Sequence, residues 1–385
     1  MTPAKTPSSP QAASRGAHSR AAGGRGSVEA MRIGILTSGG DSPGMNAAIH
    51  SLVKTGLGRG HDIVGIEDGY VGLLERRVRT LKLDDVDGIS RHGGTMLGSA
   101  RSKVFPTPDG QAQARAQVKA LGLEGLVVVG GNGSLSGAHA LAATDAPCRI
   151  VGLAASIDND VGHSGLAIGV DTAVNTIVDA CDRISDTAAA HRRVFIVEVM
   201  GRQCGYLAMR SGLAAEADAI LYAEHQLSED ALVDKLQALL QRSFDKAGGR
   251  SKRRVLIVKA EGVKVNTSAL VQRLGAWLDE HVPGVDVRET ILGHVVRGGN
   301  PSATDRVIAQ RLGFGAVVAL ENGAHDVMLA WEPPGGFGAA TDDPSVRRVG
   351  LAEMIEETKR LLDGTSPVTR ARLALLARVE GLLAL

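Results

Sequence analysis

The run Met31 to Ala47, MRIGILTSGGDSPGMNA, constrains this chain more than any other. Ile33, Ile35 and Leu36 form a short apolar run of the kind buried in a parallel sheet. Gly39 and Gly40 follow directly. Lacking a Cβ, they permit positive φ and let a bound group approach the backbone. Ser42 and Pro43 read as a helix start, a cap residue before proline at the first helical position. A helix N-terminus behind a glycine turn suits an anion, because free N–H groups and the helix dipole face it. The same residues also suit an ordinary tight strand-to-helix connection. The spacing fits neither GxxxxGK(S/T) nor GxGxxG, so the two common nucleotide motifs do not apply.

The pattern recurs along the chain. After a helix over about 43–57 comes HDIVGIEDGYVGLL, a second short strand and a loop carrying Tyr70. GGTMLGSARSKVF (93–105) is a glycine turn ending in Arg101 and Lys103, cations suited to a polyphosphate or to solvent. EGLVVVGGNGSLSGA (124–138) repeats the opening logic, with Ser134 before a helix. A third strand, RIVGLAA (149–155), runs into Ser156-Ile157-Asp158-Asn159-Asp160. Two carboxylates thus stand at the C-terminal end of a predicted parallel strand, the edge where open α/β sheets bind ligands. One can hold Mg²⁺ beside substrate phosphates. The other can take a proton from a hydroxyl nucleophile. An Asx turn is the alternative reading of the pentapeptide.

Three later segments each end in glycine beside cations. RRVFIVEVMGRQCG (192–205) is bracketed by Arg193 and Arg202. RRVLIVKAEG (253–262) ends in Glu261, and VDVRETILGHVVRGGNPSATDR (285–306) carries Arg288, His294 and Arg297. Together they point to a converging anion site. Between them, Val170, Val174, Ile177, Cys181 and Ile184 repeat at helical spacing within 168–190. A loop follows after about 335, then helices near 348–363 and 367–384. The last has an apolar face of Leu373, Leu376, Val379 and Leu383, suited to docking on the body. The alternation of strands and helices predicts a doubly wound α/β architecture with mostly parallel sheets.

Composition narrows the function classes. Charge is balanced, 43 basic against 42 acidic residues, so no general attraction to nucleic acid or anionic membrane is implied. Aromatics are 3% of the chain, too few for a stripe that grips single strands. Three scattered cysteines argue for a reducing compartment, the cytoplasm, rather than a disulfide or zinc framework. No apolar run reaches the roughly 18 residues of a membrane span. Residues 1–30 lack an apolar signal core. They read as a disordered extension or a start codon placed too early, with organelle targeting as the alternative.

Seven segments in order carry a resemblance: GGDSPGMNA, GGTMLGSAR, GGNGS, SIDND, VEVMGR, AEG and LGHVVRGGNPSATDR. From about 31 to at least 320 the chain resembles the ATP-type bacterial phosphofructokinase family. That implies ATP-dependent phosphorylation of fructose 6-phosphate at its 1-hydroxyl, with Mg²⁺. By resemblance, Asp158 is the catalytic base, aided by Gly40, Arg101, Arg202 and Ser156. Gly40, Tyr70, Arg101, Ser102, Gly131, Asn132, Gly133 and Ser134 hold the nucleotide. Asp160, with Asn132, serves the metal. Ser156, Asp158, Met200, Gly201, Arg202, Glu261, His294 and Arg297 hold the sugar phosphate. Arg193 and Arg288 reach its 6-phosphate from a neighbouring subunit, which implies a homotetramer with shared sites.

The resemblance also implies two Rossmann-like domains with the chain crossing between them. Residues 31–168 plus about 297–347 would bind nucleotide. Residues 169–296 plus about 348–385 would bind the sugar phosphate and carry the C-terminal helices. Four positions depart from the family pattern. Asn132 stands where the loop normally has Asp, Ser156 where Thr is usual, and Ala154-Ala155 where Pro-Gly precedes SIDND. Gly133 and Ala155, in place of the Asp and Lys of pyrophosphate-dependent relatives, favour ATP as donor. A related sugar phosphate such as sedoheptulose 7-phosphate, and a catalytically weak binding regulator, remain alternatives. In the resembling enzymes an interface pocket binds ADP or phosphoenolpyruvate through several arginines. Three of those positions are His50, Lys54 and Ser185 here, so weak control is expected, strengthening near pH 6 as His50 gains charge.

Overall fold

The computed structural model describes residues 29–143, 145–225, 227–245, 253–332 and 336–383. The expectation of an N-terminal extension falls, for residues 1–28, outside them. The chain opens with β1 (Arg32–Ser38), α1 (Met45–Gly58), β2 (Asp62–Ile66), α2 (Gly69–Glu75) and β3 (Val78–Thr80). Then come α3 (Pro108–Ala120), β4 (Gly125–Gly130), α4 (Asn132–Ala142) and β5 (Arg149–Ala154). A long α5 (Val170–His191) leads to β6 (Arg193–Val199), α6 (Tyr206–Ala214), β7 (Ala219–Leu221) and α7 (Glu229–Phe244). Next are β8 (Arg254–Ala260), α8 (Thr267–His281) and β9 (Asp286–Ile291). The chain ends with α9 (Ala303–Glu321), β10 (Val327–Trp331), β11 (Ala339–Ala340), β12 (Val346–Gly350), α10 (Leu351–Leu362) and α11 (Pro367–Leu383).

Two sheets result. The larger has the order β11-β12-β10-β5-β4-β1-β2-β3 and the smaller β7-β8-β6-β9. In the larger, β1, β2, β4, β5 and β10 run parallel, β3 and β12 run opposite to them at the two sides, and β11 pairs antiparallel with β12. All pairs of the smaller sheet are parallel. Both faces of β1, β4 and β5 are covered, which is why these strands read as unbroken Val, Ile and Leu runs. Ile33, Ile35, Val127 and Val129 face α1 and α9. Leu36, Leu126, Val128 and Ile150 face the side of α4 and α10. The smaller sheet is sandwiched likewise, with Val197, Val199 and Val258 towards α5 and α6, and Val194, Ile196 and Ile257 towards α7 and α8.

This topology decides where a ligand binds. From β1 the chain winds one way through β2 and β3, then returns on the other side through β4 and β5. Strand order therefore reverses between β1 and β4, and the crevice beyond their C-terminal ends is the binding point of such a sheet. The glycine loops after β1 and β4 both open there.

One buried carboxylate ties the two halves together at this edge. Asp305, on the first turn of α9, accepts bonds from the Gly169 and Thr172 N–H groups, each at 2.8 Å, and from the Thr172 hydroxyl. It thereby satisfies the N-terminus of α5, the link between the sheets. Burial pushes its pKa up, while the bonds from Thr172 and Gly169 oppose that shift. At the far end, Leu351 and Met354 of α10 belong to the core of the larger sheet, and Leu376 of α11 to that of the smaller. Among the described residues no helix is long and apolar enough to cross a membrane.

Candidate active site

A cavity of about 590 Å³ lies at the switch point. Its wall contains Gly40, Tyr70, Arg101, Ser102, Gly131, Asn132, Gly133, Ser134, Ser156, Asp158, Asp160, Arg202 and Arg297. Thirteen predicted site residues from seven separated segments therefore meet in one place. Gly40 lies against Arg297: a Cβ there would stand 2.9 Å from the guanidinium, whose flexible end would have to shift. Arg297 Nη1 also donates to the Asp41 carbonyl at 3.3 Å, so the cation reaches into the opening loop.

The nucleotide-side loops are braced by an aromatic pair. Tyr70 stacks on Phe105 with centroids 3.8 Å apart, and its hydroxyl donates to the Ser134 carbonyl at 2.7 Å. Burial raises the Tyr70 pKa well above its ordinary value, so the phenol stays neutral. Phe105 also lines the cavity, and the sequence reading missed it. An aromatic four residues past Arg101, in a chain with few aromatics, was the available signal. Helix α4 starts at Asn132 with no side chain capping its N-terminus, so its first-turn N–H groups face the cavity unclaimed by a cap. That is the local arrangement that accepts phosphate oxygens.

The two carboxylates of the SIDND turn behave differently. Asp158 is 3% exposed, and its Oδ1 is buried with no hydrogen-bond partner among the described residues. Burial first, and the charge of Asp160 second, push its pKa up to about 6, while Arg297 and Arg202 pull it down. Asp160 is fully engaged. The Ser156 hydroxyl donates to its Oδ1 at 2.9 Å, and the Asn132 amide to its Oδ2 at 2.7 Å. Asn132 therefore turns its nitrogen towards Asp160, and its oxygen lies towards Thr358.

The sugar-side residues converge only in part. Arg202 has a left-handed backbone, φ 49°, and its N–H donates to Glu261 Oε1 at 2.8 Å. Its guanidinium stands 3.8 Å from Asp158. Met200 and Gly201 precede it in the same turn after β6, and His294 sits on the short 3-10 turn that ends at Arg297. These residues and Glu261 adjoin the cavity without lining it. Arg193 and Arg288 are not in its wall. They meet at Asp286 instead, at 3.8 and 3.0 Å.

Comparison with known proteins agrees with this geometry. The family model described as phosphofructokinase matches residues 32–320. The ATP-dependent 6-phosphofructokinase of Natranaerobius thermophilus is 42% identical over 77% of this chain and 88% of its own length. The ATP-dependent 6-phosphofructokinase 1 of Thermus thermophilus is 43% identical over the same shares. Among solved structures, phosphofructokinase from Saccharomyces cerevisiae matches with a TM-score of 0.75 and 33% identity. That match covers 89% of this chain and about half, 47%, of the yeast chain. A pyrophosphate-dependent phosphofructokinase from Marinobacter aquaeolei, at 19% identity and TM-score 0.69, shares the fold. With seven motifs in order, two wound sheets meeting at one cavity and relatives spanning most of its length, this chain belongs to the phosphofructokinase family.

Proposed function

We propose that this protein transfers the terminal phosphoryl group of ATP to the 1-hydroxyl of fructose 6-phosphate, a step of glycolysis, with Asp158 as general base. The observation that carries the residue assignment is Asp158 itself. It is a buried carboxylate with one unpartnered oxygen, set between the phosphate loops and Arg202. A pKa near 6 suits a base at neutral pH, where it is ionised yet basic enough to accept a hydroxyl proton. Phosphoryl transfer asks a protein mainly for positioning and charge neutralisation. The α4 N-terminus, the loop at Gly40, Arg101, Arg202 and Arg297 supply both.

The residues fit Mg²⁺. Among the described residues no cluster of three or more His, Cys, Asp or Glu forms a metal cage. Mg²⁺ does not need one, because it is usually held by one or two carboxylates plus substrate phosphates. Asp160 would hold it, in a cavity that also has phosphate-binding backbone. When bound, the ion would supply positive charge against the phosphates of the nucleotide. Arg193 and Arg288, outside the cavity wall, fit a role at the 6-phosphate in a neighbouring subunit's site, which calls for a homo-oligomer, a homotetramer by the family resemblance.

A coupled assay of the purified protein with each donor and each sugar tests this reading. Turnover with ATP and fructose 6-phosphate is expected, and it should be lost in Asp158→Ala with fructose 6-phosphate binding retained. Turnover with pyrophosphate and none with ATP, or faster turnover with sedoheptulose 7-phosphate, would overturn it.

A further inference from the structure

We infer that Asn132 is a built-in donor that holds Asp160 in its working orientation without a cation, and that Thr358 on α10 fixes the direction of that amide. The inference rests on the reading of Asp160 as the Mg²⁺ carboxylate.

Asp160 is 8% exposed, and both its carboxylate oxygens are occupied, by Ser156 at 2.9 Å and Asn132 at 2.7 Å. The Asn132 amide also lies 3.3 Å from the Asp160 carbonyl. The direction of the amide follows from chemistry. Reversed, it would put a carbonyl oxygen 2.7 Å from a carboxylate oxygen, two acceptors with no proton between them. The other end of the amide faces Thr358, a buried residue whose hydroxyl lies 3.5 Å from Asn132 Oδ1, a long contact for an O–H···O bond. That hydroxyl accepts the Gly162 N–H at 2.7 Å, so its own proton is free for another acceptor. The alternative acceptor, Met354 Sδ at 3.4 Å, is a weak one.

The chain Gly162–Thr358–Asn132–Asp160 thus runs from the last helices to the cavity wall. An aspartate at 132 would face Asp160 with like charge at the same spacing, relieved only by a cation between the two or by a proton that one of them takes up. Asparagine removes that need. The metal-free site is therefore already arranged, at the expense of one negative charge that would have strengthened cation binding.

Thermal unfolding in EDTA and in saturating MgCl₂, without nucleotide, tests this. The wild type should differ little between the two, and by less than Asn132→Asp. Asn132→Asp should melt about 2–4 °C lower in EDTA and recover in MgCl₂. Its half-saturating Mg²⁺ in turnover should fall by on the order of tenfold, with KM for fructose 6-phosphate unchanged. Thr358→Val should raise half-saturating Mg²⁺ without moving that KM, and Thr358→Ser, which keeps the hydroxyl, should restore it. An Asn132→Asp protein equally stable in EDTA and MgCl₂, or Thr358→Val and Thr358→Ser variants with the same Mg²⁺ dependence, would overturn the inference. Asp160→Ala separates the two levels. Lost turnover there, with Asn132→Asp indifferent to Mg²⁺, removes this inference and leaves the proposed function standing.

Discussion

Arg202 sets its guanidinium 3.8 Å from the Asp158 carboxylate while its own backbone is left-handed, at φ 49°. A non-glycine residue in that region costs of order 1–3 kcal/mol and persists where the surroundings over-determine it. Here Glu261 takes the Arg202 N–H at 2.8 Å, and the turn follows directly from β6. The strain thus lies where a cation is aimed at a buried carboxylate.

Asp158→Asn is expected to lower kcat by about 10²–10⁴-fold with little change in either KM. The same variant should be more stable. Above pH 6 the carboxylate is charged in folded and unfolded protein alike, and the folded state bears the burial penalty. A rise from 3.8 to about 6 corresponds to a penalty of up to about 3 kcal/mol. Below about pH 4 both states are neutral and the difference vanishes. A melting temperature above wild type at pH 7.5, with the gap closing towards pH 4, is the result to look for. A variant no more stable than wild type at pH 7.5 would refute the assignment of the shift to burial.

Lys259 is 1% exposed and meets Glu198 at 2.9 Å, just upstream of Glu261 and Met200 in adjacent strands. Thr267 also donates to Glu198. Burial alone would raise the Glu198 pKa, but the bonds from Thr267 and Lys259 outweigh it and leave the pKa below its ordinary value. Lys259→Met leaves a half-buried carboxylate unpaired and should cost about 3 kcal/mol, the low end for a broken buried pair. The double variant Lys259→Met, Glu198→Met should recover most of that loss in denaturant unfolding. Equal losses in the single and double variants would mean that the lysine stem, not the pair, matters.

A Cβ at Gly133 would meet nothing within 4 Å. Gly133→Asp should therefore fold normally. Its carboxylate, on the loop that would hold the nucleotide, should raise KM for ATP by on the order of tenfold through repulsion of the phosphates. Unchanged KM for ATP would move the nucleotide away from this loop.

Control by ADP or phosphoenolpyruvate is expected to be weak, and to strengthen towards pH 6 by less than an ordinary histidine would allow. The sequence reading gave His50 an ordinary pKa and so a growing response at that pH. In the structure, burial first and the neighbouring Lys54 charge second lower it from 6.5, while Asp87 opposes them. The imidazole should then gain less charge on going to pH 6 than an ordinary histidine would. Titrating both effectors at subsaturating fructose 6-phosphate checks this, and a strong sigmoidal response at either pH 7.5 or pH 6 would contradict it.

Much of this protein was legible in one dimension, because its information is local. Apolar runs of β1, β4 and β5 ending in glycine declare a buried parallel sheet with ligand loops. The helix predicted over 168–190 is α5, Val170–His191, since helical spacing reports a buried face directly. The carboxylate pair Asp158 and Asp160 could be picked out from its place at a strand end, and only the family resemblance told the two apart. The tertiary structure decided what depends on distant pairing. Only the strand order brings Arg297 beside Gly40, or Thr358 of α10 to Asn132. The lysine in RRVLIVKAEG gave no sign of burial, because its partner Glu198 lies in another strand, 61 residues away. The direction of the Asn132 amide was equally invisible. An asparagine side chain offers an oxygen or a nitrogen, and which one faces a carboxylate is set by the neighbours the fold supplies.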